Sequence, residues 1–175
     1  MRTGLITAIL LALSLAAFER NDVWKTEAGL FIDTANKSSV KARSVHNKGL
    51  AALAQGDLNS AVLLLTQSIE LEPYRAESYI SLGIAYARLG QRENALTMFE
   101  RSLSLEANNP IAHFNLGLLY YKEYGKYDRS LEHFLKAREM NPGNPDVYFN
   151  LGLTYRQLGR EDLARQAFAE QRRVQ

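Results

Sequence analysis

Three histidines and two close acidic pairs are the residues of this chain whose types could do chemistry. Histidine titrates near neutral pH and serves as general base, proton shuttle or metal ligand. His46, His113 and His133 stand far apart, and none has a second ligand three or four residues on, the spacing that puts two ligands on one helix face. Each reads as a surface or groove residue. Paired carboxylates can divide general acid and base duties, but Glu70/Glu72 and Glu161/Asp162 fall on exposed helix faces or turns, where they are solvated charge. The glycines come singly, so no glycine-rich loop is formed to cradle a phosphate. The chain has no Cys, which removes disulfides, thiolate metal sites, thiol nucleophiles and the lipid-bearing residue of a bacterial lipoprotein. Nothing gives a Ser/His/Asp set a structural context. The expectation is a protein with no catalytic residue, no metal site and no cofactor.

Charge points the same way. The net charge is only +2, and Lys and Arg alternate with Asp and Glu along the chain. That is solvated helix surface and not the concentrated basic face of a nucleic-acid binder. Beyond about residue 42, Leu, Ala, Glu, Arg and Gln dominate and Pro is scarce, which is the composition of helices. A length of 175 residues suffices for one domain or a short repeat array.

The elements that organise these residues emerge from a period. Gly49, Gly83, Gly117 and Gly152 are spaced by 34, 34 and 35 residues, and Gly56, Gly90, Gly125 and Gly159 by 34, 35 and 34. Five residues after each glycine of the second series comes a small residue (Ala61, Ala95, Ser130, Ala164), and nine after it a bulky apolar one (Leu65, Phe99, Phe134, Phe168). Pro73 and Pro142 follow at 17, with Ala107 at the equivalent place between them. Each period holds two amphipathic helices. The second-series glycine can take positive φ and close the first helix. The first-series glycine, inside a helix, costs about 1 kcal/mol relative to Ala. That cost is offset if the missing side chain lets the second helix come close, with the small residue as its contact and the bulky residue in the groove between neighbouring hairpins.

This pattern resembles the tetratricopeptide repeat family. The resemblance covers residues 42–75, 76–109, 110–144 and 145–175. It implies an all-α fold, a right-handed superhelix of antiparallel hairpins, and a protein-binding scaffold whose first helices line a concave face. Related Sel1-type units are longer and space their glycines differently. The first hairpin matches least well, with Val45, Lys48 and Ala52 where the others carry bulkier or more apolar residues. The third has one extra residue between Tyr120 and Gly125, which predicts a longer first helix or a small bulge.

Residues 19–41 extend the phase backward. Phe31 lies 34 residues before Leu65 and Ser39 lies 34 before Pro73. Trp24, Ala28, Phe31 and Ala35 share a helical face. A linker and an isolated second helix are expected here, a half-repeat capping the apolar end of the array.

No residue from Thr3 to Phe18 is charged, and Arg2 precedes the run. The run is short for a bilayer-spanning helix, which needs about 20 residues. Residues 1–18 read as a signal peptide, with Ser14-Leu15-Ala16 as its cleavage site, or as a short membrane anchor. Arg2 favours an N-inside orientation, which places the repeats on the extracytoplasmic, periplasmic side. The junction also resembles that of bacterial polytopic, glycosyltransferase-like membrane proteins with C-terminal tetratricopeptide repeats, through Phe18-Glu19-Arg20-Asn21-Asp22-Val23-Trp24-Lys25, Leu30-Phe31-Ile32-Asp33-Thr34 and Ser39-Val40-Lys41-Ala42-Arg43. That resemblance implies an accessory, acceptor-presenting role in such a system.

The resemblance to the repeat family also places the binding face. The first hairpin turns Arg43, His46, Asn47, Leu50, Leu53 and Ala54 inward. The second turns Glu77, Ile80, Ser81, Ile84, Ala87 and Arg88. The third offers Ile111, Phe114, Asn115, Leu118, Tyr121 and Lys122, and the fourth Asp146, Phe149, Asn150, Leu153, Arg156 and Gln157. Asn47, Asn115 and Asn150 recur at one place, with Ser81 between them, and amides both donate to and accept from a peptide backbone. The row is similar to the asparagine ladder of O-linked N-acetylglucosamine transferase. It also reads as local capping or solvation of the helix. Ile80, Ile84, Phe114, Leu118, Tyr121, Phe149 and Leu153 form an apolar strip suited to an amphipathic segment, or to partial burial between successive first helices, and Arg156 is counted with the binding face. The carboxylate clamp for chaperone tails is not supported. Leu50 stands where it needs Asn, and Ile111 and Asn115 where it needs basic residues. The last helix, with Ala164, Ala167 and Phe168, is expected to leave an apolar face for homotypic stacking.

Overall fold

The computed structural model describes residues 27–175. The expected membrane or export segment, residues 1–18, and Trp24 lie outside the described residues, as do the side chains of Ala28 and Phe31. The described residues form eight helices: α1 (Glu27–Gln55), α2 (Leu58–Leu71), α3 (Ala76–Arg88), α4 (Arg92–Leu105), α5 (Pro110–Lys122), α6 (Tyr127–Met140), α7 (Pro145–Gln157) and α8 (Glu161–Val174). Among them none is long and apolar enough to cross a membrane.

The chain divides into two compact bodies, Met1–Lys41 and Ala42–Gln175. The described part of the first is helical, with Lys37 Nζ on Asp33 Oδ2 at 2.6 Å one turn earlier. A separate capping helix ending near Ser39 is not formed. The helix continues through Ser39, because no Gly or Pro stands between Gly29 and Gly49 to stop it.

The second body is a series of hairpins: from α2 on, each helix packs on the next in sequence, with α3 also against α5 and α5 against α7. Sequence chemistry starts the helices. Asn109 and Asn144 each precede a proline at the first helical position, where the missing N–H costs nothing. Their side chains accept from the backbone N–H of Ile111 and Ala112, and of Asp146. Asp57 does the same for Ser60.

Glycine stops them. Gly56, Gly90, Gly125 and Gly159 have φ of 80°, 73°, 59° and 69°, which closes the last turn in left-handed backbone. The residue after each glycine then donates back into the helix. Asp57, Gln91 and Arg160 reach the carbonyls of Ala52, Tyr86 and Tyr155, five residues earlier. Lys126 reaches Tyr120, six residues earlier, at 3.0 Å. That is where the third hairpin's extra residue goes. α5 has 13 residues, the same as α3 and α7, so of the two expectations, a longer helix or a small bulge, the longer helix is not formed and the turn is wider by one residue.

The core is serial. One cluster joins the first two hairpins around Leu65 and Leu82, one joins the second and third around Phe99 and Leu116, and one the third and fourth around Phe134 and Leu151. Among the described residues each hairpin packs only against the hairpins next to it in sequence, the nearest-neighbour pattern of a solenoid. Within a hairpin the contact at the helix glycine differs from expectation. A Cβ on Gly83, Gly117 or Gly152 would lie 2.6, 2.6 or 2.5 Å from the ring of Phe99, Phe134 or Phe168, and one on Gly49 2.8 Å from Leu65. The bulky residue, not the small one, occupies the space. The small residues Ala61, Ala95, Ser130 and Ala164 are buried beside it, and Ser130 Oγ donates to Gly117 O at 2.8 Å.

Candidate partner-binding face

The face lined by α3, α5 and α7 carries most of the residues expected to bind. A cleft of about 450 Å³ opens on it between α3, α4 and α5. Ile84 and Leu118 supply apolar wall, with Ala87, Leu119 and Phe99 behind them, and Asn115, Arg88, Lys122 and Glu123 make the polar part. Of the expected residues, Ile84, Asn115 and Leu118 are thus brought together. Phe114 lines a smaller cavity of about 170 Å³ with Ile111, Asn144 and Val147, its ring 5.7 Å from that of Phe134. Tyr121 leans edge-on against Tyr127 at 5.4 Å. Phe149 is 43% exposed and lies 6.0 Å from Phe168. Leu153 is half-buried, while Asn47 and Arg156 are exposed.

The amide row is engaged with its own helices. Asn115 Nδ2 donates to Ile111 O and Asn150 Nδ2 to Asp146 O, both at 2.8 Å and one turn back. Ser81 is buried, and its hydroxyl donates to Glu77 O at 3.0 Å. Such back-bonding ties one amide proton and leaves the Oδ1 acceptor of each Asn for a visiting N–H. Ser81 presents no free donor.

The residues expected to stack with another copy are occupied inside the last hairpin. Ala164 and Ala167 are buried and the Phe168 ring covers Gly152. Leu163 is the large apolar residue of α8 left 40% exposed.

Two groupings were not visible at the sequence level. His113 and His133, 20 residues apart, meet with their Nδ1 atoms at 2.9 Å. His113 Nε2 lies 3.2 Å from Ala107 O and donates to it, so its Nδ1 accepts and His133 Nδ1 is the donor. The Tyr120 ring stacks on His133 at 5.5 Å. Burial, then the neighbouring His113, pushes His133 down to about 4, and burial holds His113 below its ordinary value, with the Ala107 bond opposing. His46 is also lowered, first by burial and then by Arg75. It bonds Ser78 Oγ at 3.2 Å, in a chain that runs through Ser68 to Ala42 O.

The other grouping is a tether. Tyr79 hydroxyl donates to Pro73 O and Tyr148 hydroxyl to Pro142 O, each at 3.0 Å, and His113 makes the equivalent bond to Ala107 O. Each spans six residues. The recurring ring six residues after Pro or Ala was the available signal. The third hairpin replaces both partners, and so carries an imidazole, which titrates near neutral pH, where the second and fourth have a phenol.

A family model described as TPR repeat matches residues 87–123 and 121–159, and one described as tetratricopeptide repeat matches residues 46–91. A MamA crystal structure superposes with a TM-score of 0.70 at 26% identity, over 76% of this chain and 77% of that one. A MamA structure of AMB-1 gives 0.65 at 30% identity, over 78% and 74%. The first TPR of Spaghetti (RPAP3), bound to the HSP90 peptide SRMEEVD, gives 0.66 at 21% identity, over 69% and 95%, a likeness of fold. No curated protein sequence matches the chain.

Proposed function

Because this chain belongs to the tetratricopeptide repeat family, we propose that it is a non-catalytic protein–protein interaction scaffold that holds a peptide segment or a partner subunit against α3, α5 and α7. The observation that carries this reading is the cleft between α3 and α5, whose apolar wall, Ile84 and Leu118, stands beside the free acceptor of Asn115. A groove of that make-up suits apolar side chains on a peptide whose backbone N–H groups need acceptors. The exposed Phe149 extends the apolar surface along α7. The peptide held by the RPAP3 repeat supports a peptide as occupant. Crosslinking in native membranes, followed by pull-down with the wild type and with Asn115→Ala/Asn150→Ala/Phe149→Ala, tests it. The triple variant loses the partner; unchanged recovery would mean that this face is not the site.

The repeats are proposed to work outside the cytoplasmic membrane, with residues 1–18 as anchor or export signal. The support is the uncharged run Thr3 to Phe18 behind Arg2. A reporter enzyme active only in the periplasm, fused after Gln175, would be active; activity confined to a cytoplasmic reporter would refute this location. The run Phe18 to Lys25 favours a second reading, an accessory part of a membrane glycosyltransferase system. Hydrophobic spans in frame upstream of Met1 would support it, and a stop codon there would count against it.

A further inference from the structure

We propose that the cleft between α3 and α5 selects segments in which a bulky apolar side chain lies beside an internal carboxylate. This deepens the scaffold reading and rests on it.

The argument begins with two pairs. Ile84 and Arg88 on α3, and Leu118 and Lys122 on α5, are each four residues apart, so in both helices a cation stands one turn beyond an apolar wall residue. A side chain seated between Ile84 and Leu118 therefore has two positive groups next to it. Arg88 is held in place, since its Nη1 donates to Leu53 O at 3.0 Å, a bond that fixes the guanidinium and leaves its charge unneutralised. Among the described residues no ion pair reaches Arg88 or Lys122. The carboxylate that lines the cleft, Glu123, is already paired with Arg92.

A basic residue in a last helical turn has an ordinary explanation, the negative end of the helix dipole. That end is equivalent to about half a charge. It offsets part of each cation and leaves the cleft positive. An apolar wall with an uncompensated positive edge is complementary to an apolar residue flanked by Asp or Glu. The selection is for a side-chain carboxylate. The groove lacks the clamp that grips a chain's terminal carboxylate, because Leu50, Ile111 and Asn115 hold those places.

Peptide display on the full chain in detergent micelles tests this. Enriched peptides are synthesised with their acids and with the matching amides, and affinities are read by fluorescence anisotropy at low and high salt. Expected are sequences with Asp or Glu within one helical turn of Leu, Ile, Phe or Met. The amide form should bind about tenfold more weakly. Lys122→Glu, on an exposed residue, should lose the same factor and regain it with a peptide carrying Lys in place of the acid. That charge-swap rescue is a readout that damage to the fold would not produce. Enriched peptides without acids, or acidic peptides that bind wild type and Lys122→Glu alike, would overturn the carboxylate selection while leaving the scaffold reading in place. No enrichment, or binders indifferent to Asn115→Ala/Asn150→Ala/Phe149→Ala, would overturn both.

Discussion

The ring of Phe134 fills the space that a side chain on Gly117 would occupy, with a Cβ there only 2.6 Å from the ring. Two helices of one hairpin come this close because one residue has no side chain. Gly117→Ala gains about 1 kcal/mol of helix propensity and loses about 1–3 kcal/mol to overpacking against a fully buried ring. The expected outcome is a net loss of up to about 2 kcal/mol in urea unfolding followed by circular dichroism. A stabilised variant would mean that the ring can give way.

Ser102 gives the opposite sign. Its hydroxyl is buried and has no hydrogen-bond partner, and Ala137 holds the same place in the next hairpin. Removing an unsatisfied hydroxyl relieves its desolvation cost, so Ser102→Ala is expected to be neutral or stabilising by about 1 kcal/mol. Ser68→Ala, at the equivalent place in the first hairpin, removes a bond to Ala42 O at 3.1 Å and should cost about 1 kcal/mol. Parallel unfolding curves decide whether the two serines differ.

Asn109 ties two backbone N–H groups at the start of α5, both at 3.0 Å. Asn109→Ala leaves them without that acceptor and should cost about 1–2 kcal/mol, while Asn109→Asp keeps the cap. A midpoint unchanged in Asn109→Ala would show that other groups supply the cap.

The histidine pair predicts acid sensitivity. His133 is lowered to about 4 and His113 and His46 are also lowered, so between pH 6.5 and about 4 the unfolded chain binds more protons than the folded one. Their contribution is fully present above pH 6.5 and is lost as pH falls through that window. Glu132 and Lys136 on α6 and Arg129 beside Tyr120 face the pair, and Glu132 partly counters the cations. His133→Met, which copies Met98 from the same place in the second hairpin, should flatten the fall in melting temperature between pH 7 and pH 5. Equal slopes in wild type and variant would place the sensitivity elsewhere.

The hairpins, their turns and their period were legible in the sequence because each rests on a property of one residue. A left-handed turn favours glycine at Gly90 or Gly159, a close approach needs Gly83 or Gly152, and Pro73 and Pro142 precede the helices that follow them. The inward face came from the resemblance to the repeat family, which sets Ile84, Leu118 and Leu153 at one repeat position. That chemistry is local, and it repeats, so each hairpin reinforces the reading of the next.

Tertiary structure decided what depends on two elements at once. The ring of Phe134 lies over Gly117, where spacing had pointed to Ser130. The same spacing set a linker and an isolated helix over residues 19–41, where in the fold α1 runs from Glu27 to Gln55. The extra residue of the third hairpin went into the turn, where Lys126 N reaches Tyr120 O. His113 and His133 read as separate surface residues until two helices brought their rings together. Ile84, Leu118, Arg88 and Lys122 become one cleft only when α3 and α5 pack side by side. Periodicity says which way a side chain points along its own helix; its partner comes from how the next helix sits, and that is set by the whole packed stack.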